Sequence, residues 1–182
     1  LAGLPYWLWA ATEEAAAHHP FQSVINCYFE AMSGLTTTGA TVLAQIEPKD
    51  QVATVPPGLL LWRAMTQWLG GLGIVVLFVA VLPTLGVGGK KLFQYEAPGP
   101  TSQGVRPRIG ETARTLWVIY LIFTIVEIVA LRLSGMSMFD SLCHTFTTLS
   151  TGGFSTKNAS VGHYWPGVHV IIIVFMVLAG VN

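Results

Sequence analysis

Apolar residues fall along this chain in runs of two lengths, and their alternation sets out an architecture. Leu59–Pro83 and Leu116–Leu133 are long runs, and Gly167–Val181 begins a third that stops at Asn182. A helix needs ~20 apolar residues to cross a bilayer core, so these read as spanning helices. Phe21–Leu35 and Phe139–Leu149 are shorter and suit half-membrane helices. Leu1–Ala11, with Pro5, Trp7 and Trp9, reads as the interfacial end of a helix whose body would precede Leu1. Polar stretches divide the runs: Thr12–Pro20, Ala44–Gly58, Thr84–Thr115, Ser134–Met138 and Lys157–Pro166. The order helix, half-helix, loop, helix therefore occurs twice, the first time without most of its leading helix. The division is 1–83 for the first unit, 84–115 for a linker, and 116–182 for a second unit cut in its last helix.

Each short run leads into a threonine- and glycine-rich string. The first is Ala31-Met-Ser-Gly-Leu-Thr-Thr-Thr-Gly-Ala-Thr-Val-Leu43 and the second is Thr147-Thr-Leu-Ser-Thr-Gly-Gly-Phe-Ser-Thr156. Non-helical backbone at membrane depth persists only where protein buries it or water lines it. There its carbonyls can replace the hydration shell of an ion. Glycine supplies the positive φ that extended filter backbones need. Hydroxyls add oxygen ligands without charge, and the C-terminal end of a half-helix favours a cation. One such string alone is as well explained by a turn or a helix cap. Two of them, placed in register by setting Thr38-Gly39 on Thr151-Gly152 at an offset of 113, point to an ion path. Both loops then fall on one side of the membrane, so the repeats are parallel. Parallel units favour assembly around a pore; inverted units would favour alternating access.

Composition agrees with a membrane protein. The chain is 52% hydrophobic and 10% charged, against roughly 25% charge in soluble domains. Its net charge is zero, which gives no basic signature for nucleic acid. Lys90, Lys91, Arg106, Arg108 and Arg114 gather in 84–115, which the positive-inside rule makes cytoplasmic, with the loops outside. Trp62 and Trp68 are expected near an interface, and Gly70, Gly71 and Gly73 permit close approach of neighbouring backbone. No strand precedes these glycines, which excludes a dinucleotide-binding loop. Glu30 and Glu127 are acids at membrane depth. For Glu30 the expectation is a hydrogen bond to the neighbouring loop; for Glu127, a polar contact, with Arg132 as a candidate partner. His18 and His19 form a metal-like pair without a third ligand, so a solvated loop is expected there. Cys27 and Cys143 read as small buried residues. An intramembrane enzyme would need a nucleophile and base such as Ser150 and His144, which lie on an element already read as a pore loop.

The strings resemble those of the Trk/Ktr/HKT superfamily of potassium transporters, most closely its bacterial TrkH branch. They are Phe29-Glu-Ala-Met-Ser-Gly-Leu-Thr-Thr-Thr-Gly-Ala-Thr-Val42, Trp62-Arg-Ala-Met-Thr-Gln-Trp-Leu-Gly-Gly-Leu-Gly-Ile74, Leu82-Pro-Thr-Leu-Gly-Val-Gly-Gly89, Glu96-Ala-Pro-Gly-Pro100, Pro107-Arg-Ile-Gly-Glu-Thr-Ala-Arg114 and Leu149-Ser-Thr-Gly-Gly-Phe-Ser-Thr156. The resemblance implies an all-α membrane protein of parallel pore-loop repeats, four around one pore, with K+ as the transported ion and neither an organic cofactor nor enzymatic chemistry. It implies one filter segment at Thr37, Thr38, Gly39 and Ala40 and another at Ser150, Thr151, Gly152 and Gly153, with the family glycines at Gly39 and Gly152. In plant relatives a serine at the first of these glycine positions goes with sodium preference, so Gly39 implies potassium. It further implies a bacterial inner-membrane location among lipid, a homodimer and a TrkA-like cytoplasmic nucleotide-binding subunit. The alternative is a proton- or sodium-coupled secondary cation transporter using Glu30 or Glu127.

Overall fold

One helix carries a stripe of polar and small residues through an otherwise apolar run. Arg63, Thr66, Gln67, Gly70 and Gly71 recur at the spacing that places them on one face. The computed structural model describes residues 1–12, 19–46, 55–81 and 109–180. In it that helix is α3, Pro57–Val81, and it packs against α2, Val24–Leu35, α4, Ile109–Leu133, and α5, Met138–Leu149. The short α1, Leu4–Ala10, leans on α2, while α6, Pro166–Gly180, leans on α4 and α5. Every regular element among the described residues is helical.

The two half-helices arise from different local chemistry. A 3-10 turn, Pro20–Gln22, precedes α2, and the Nδ1 of His19 accepts the N–H of Phe21 to cap it. His19 is therefore buried against Trp9 and Phe21, where a solvated loop was expected, and burial pushes its imidazole below the ordinary histidine range. His18 lies outside the described residues. Helix α5 instead starts on Ser137, whose Oγ accepts the N–H of Asp140 at 3.0 Å and donates to its Oδ2 at 2.8 Å. This is a serine N-cap, with an acid placed favourably in the first turn. Both helices are 12 residues long.

Burial is inverted relative to a water-soluble domain. Arg63, Gln67, Glu30, Glu127, Ser141 and Thr145 are 0–1% exposed, whereas Val118, Ile122, Ile125, Val129, Ile173 and Val177 are turned outward. Charged and amide side chains are ordinarily the exposed ones. A polar interior under an apolar surface is what a hydrocarbon solvent selects. Among the described residues, Arg114–Leu133 is 20 residues with mean hydropathy 2.2, enough to cross a bilayer; Pro166–Gly180 is a shorter apolar helix.

Several expectations shift. Helix α4 begins at Ile109, ahead of the expected Leu116, which takes Arg114 into the helix. The linker residues Lys90, Lys91, Arg106 and Arg108 lie outside the described residues. Trp68 is not an interfacial anchor: its Nε1 donates to Thr124 and its ring packs against Tyr120 and Phe146, between α3, α4 and α5. Arg132 does not reach Glu127. It donates to the carbonyl of Met136, because five residues on a helix point the two side chains apart. Glu127 stays buried and, among the described residues, neither of its oxygens has a hydrogen-bond partner in good geometry, the Thr148 hydroxyl being near it.

Candidate functional site

Both half-helices end the same way. Helix α2 stops at Leu35 and α5 at Leu149. Two residues later the backbone turns left-handed at a threonine, Thr37 with φ +55° and Thr151 with φ +52°. It does so again at a glycine, Gly39 with φ +76° and Gly153 with φ +93°. The hydrogen bonds repeat in step: Thr37 N–H to Gly34 and Thr38 N–H to Ser33 in the first loop, Thr151 N–H to Thr148 and Gly152 N–H to Thr147 in the second. A β-branched residue in this conformation costs about 1–2 kcal/mol. Surrounding structure holds that strain in place twice, at equivalent points.

These landmarks set the repeat at an offset of 114, not 113. Gly39 corresponds to Gly153, Thr38 to Gly152 and Thr36 to Ser150. Matching one Thr-Gly pair to the other had put Gly39 on Gly152. The true register is handed down from the helix ends, which letter matching does not see.

The two loops lie side by side. The Cα of Gly39 presses on the carbonyl of Gly152, so closely that a β-carbon at Gly39 would overlap it. Gly70 of α3 sits under the carbonyl of Leu35 and Gly71 under Cα of Ser150, so adjacent glycines seat both half-helix ends. Gly73, expected to do the same, faces open space. A cleft of about 180 Å³ opens between the loops, lined by Gly39, Thr41, Arg63, Gly153 and Phe154 among others.

Behind the first loop stands a charged cluster. The Nε of Arg63 donates to Oε1 of Glu30 at 2.7 Å, and both side chains are buried. Thr41 Oγ1 donates to the same oxygen at 2.8 Å, and Val42 N–H donates to Oε2 at 2.9 Å. Glu30 thus pins the strand leaving the first loop, as the sequence led one to expect. The Arg63 guanidinium also stacks on Phe154 of the second loop, 4.1 Å from its ring centroid. Ser33 Oγ donates to the carbonyl of Ala40 and closes the loop on its helix.

The second loop is pinned from its rim. Thr156, the counterpart of Val42, donates to Oδ1 of Asp140 at 2.6 Å. Burial raises the Asp140 carboxyl, but hydrogen bonds from Thr156 and Ser137 and the charge of Lys157 outweigh it and hold the group below the usual range. His144, the counterpart of Glu30, is buried with its Nε2 unpaired among the described residues. It makes no pair with Ser150, whose Oγ donates instead to the carbonyls of Phe146 and Thr147. No cluster of three or more His, Cys, Asp or Glu side chains fit for a metal occurs among the described residues. Cys27 and Cys143 are buried free thiols.

All eight sequence-proposed residues thus lie on two adjacent loops. Arg63, Gln67, Thr41, Asp140 and Thr156 were not singled out. For Arg63 and Gln67 a signal existed: a helical polar stripe inside an apolar run.

A family model described as a cation transport protein, TrkH, matches residues 9–182. The Trk system potassium uptake protein TrkH of Salmonella typhimurium is 46% identical over 165 residues, 90% of this chain and 33% of that protein. TrkG of Escherichia coli K12 is 48% identical over 141 residues, 77% of this chain and 28% of that protein. The crystal structure of the potassium transporter TrkH from Vibrio parahaemolyticus superposes with a TM-score of 0.72 at 42% identity, covering 88% of this chain and 30% of that one. The chain spans about a third of the length of the curated relatives it matches.

Proposed function

Because this chain belongs to the TrkH cation-transport family, we propose that it forms two of the pore-loop units through which potassium crosses a bacterial inner membrane. The observation that carries this reading is the pair of strained, glycine-bearing loops meeting at Gly39 and Gly152 inside a polar interior. In this reading α2 and α5 are re-entrant half-helices whose negative C-terminal ends face the ion. Carbonyls of Thr37, Thr38, Gly39 and Ala40, with those of Ser150, Thr151, Gly152 and Gly153, replace part of the hydration shell of K+. Further units of the longer protein complete the ring. The loops face outward and 84–115 is cytoplasmic. A homodimer embedded in lipid, with a cytoplasmic nucleotide-binding subunit, is the assembly this family membership suggests. No covalent chemistry is involved.

The coupled-carrier reading needs an acid that exchanges a proton. Glu30 is committed to Arg63, Thr41 and Val42, which narrows that reading to Glu127.

The test is rubidium and sodium uptake by potassium-starved cells expressing the full-length protein, with and without Gly39→Ser. Rubidium-selective uptake that the substitution degrades is the expected result. Unchanged discrimination in a well-inserted variant places the filter elsewhere.

A further inference from the structure

Gln67 belongs to the Trp62–Ile74 string, yet nothing in the ion path described so far uses it. Its side chain is completely buried on α3, between the two loops. The Oε1 accepts the N–H of Phe154 at 3.3 Å. A backbone N–H demands an oxygen there, which turns the NH2 group the other way. That nitrogen lies 3.6 Å from where a β-carbon on Gly39 would stand, and it has no hydrogen-bond partner among the described residues. The carboxamide itself lies flat on Cα of Gly152, so that a β-carbon there would overlap its carbon, oxygen and nitrogen. One side chain therefore touches both loops at the two points where they meet.

We propose that Gln67 is a positioning residue for cation discrimination, whose carboxamide sets the spacing between the Gly39 and Gly152 strands. This rests on the filter reading above. Discrimination by a ring of carbonyls depends on where those carbonyls stand. The Phe154 hydrogen bond and the contact on Gly152 fix the second strand relative to α3, and Gly39 is fixed in turn by its contact with the Gly152 carbonyl. A buried amide bonded at one end and unpaired at the other is a poor device for stability alone, since unsatisfied buried donors are rare in folded proteins. When Pro57-Gly58 is laid on Pro166-Gly167, the residue at this place in the second unit is Met176, similar in length and with only a weakly accepting thioether.

The experiment measures rubidium and sodium uptake by full-length Gln67→Met, Gln67→Glu and Gly39→Ser, each normalised to its abundance in the membrane. Gln67→Met removes the acceptor at nearly constant volume. It is expected to lower the rubidium-to-sodium ratio about tenfold while rubidium uptake persists, the scale set by losing one buried hydrogen bond. Gln67→Glu keeps the shape and the acceptor at the cost of a buried acid, and with the Phe154 bond kept it is expected to discriminate better than Gln67→Met. If the methionine variant is not inserted, Gln67→Leu takes its place, and a parental ratio in that acceptor-free variant overturns the assigned role of the Phe154 bond. A parental ratio in Gln67→Met beside a degraded one in Gly39→Ser refutes the role of Gln67 and leaves the filter standing. Parental ratios in both remove the filter reading itself.

Discussion

The two loops share a backbone and differ in what holds it. In each, a carboxylate secures the strand that leaves the loop, at Val42 and at its counterpart Thr156. The first loop does this from deep in the protein. Glu30 grips a backbone N–H and is neutralised by Arg63, which reaches on to stack over Phe154. The second does it from the rim, where Asp140, in the first turn of a helix capped by Ser137, accepts the hydroxyls of Ser137 and Thr156. At the depth of Glu30 the second unit has His144, and where Arg63 would stand it has Ile172. A repeated backbone thus survives with its charge moved from the interior to the edge. The geometry is what the two units have in common; the electrostatics belong to each.

The comparison breaks most severely at Arg63. Arg63→Ala leaves Glu30 buried and uncompensated, at a cost of about 3–5 kcal/mol. Thermal unfolding of the detergent-purified full-length protein should show it as a large fall in Tm. Joint replacement by Glu30→Leu and Arg63→Met should recover only part of the loss, since Val42 N–H would still lack its acceptor. A smaller effect sharpens the register. At Gly153 a β-carbon meets open space, so Gly153→Ser incurs only backbone strain of about 1–2 kcal/mol. At Gly39 the same change adds overlap with the Gly152 carbonyl. Rubidium-to-sodium uptake ratios should therefore fall further in Gly39→Ser than in Gly153→Ser; equal losses would mean that strain alone governs the loops. The smallest effect is expected at Asp140, whose partly exposed bonds are worth about 1 kcal/mol or less. Its carboxyl is depressed in the fold, so its contribution is present at neutral pH and lost as pH falls from the ordinary carboxylate range through its lowered folded pKa. The Tm difference between the parent and Asp140→Asn should shrink on acidification over that range.

Much of this could be read from the residues. Run lengths separated the two 12-residue helices from the two 25-residue ones, since the extent of an apolar run limits the length of the helix it can form. The bond from Glu30 to the adjacent loop followed from the cost of leaving an acid bare at that depth. Gly70 and Gly71 announced a close approach, although not which backbones would approach. What escaped was set by tertiary partners. Arg63 looks like a charge near the start of a helix until α3 is laid beside α2. Trp68 looks interfacial until α4 and α5 cover it. The one-residue error in register came from trusting a Thr-Gly pair, when the conformation is counted from Leu35 and Leu149.

The Glu30–Arg63 pair also bears on how such a chain is made. Its partners are 33 residues apart, whereas Gln67 must wait for Phe154, 87 residues on. At synthesis rates of about 5–20 residues per second, that wait is on the order of ten seconds. Through this interval the first unit stands in the membrane without its neighbour. Arg63 enters with its counterion already in the same unit, so the nascent chain need not carry an uncompensated charge through the translocon while the second loop is still on the ribosome.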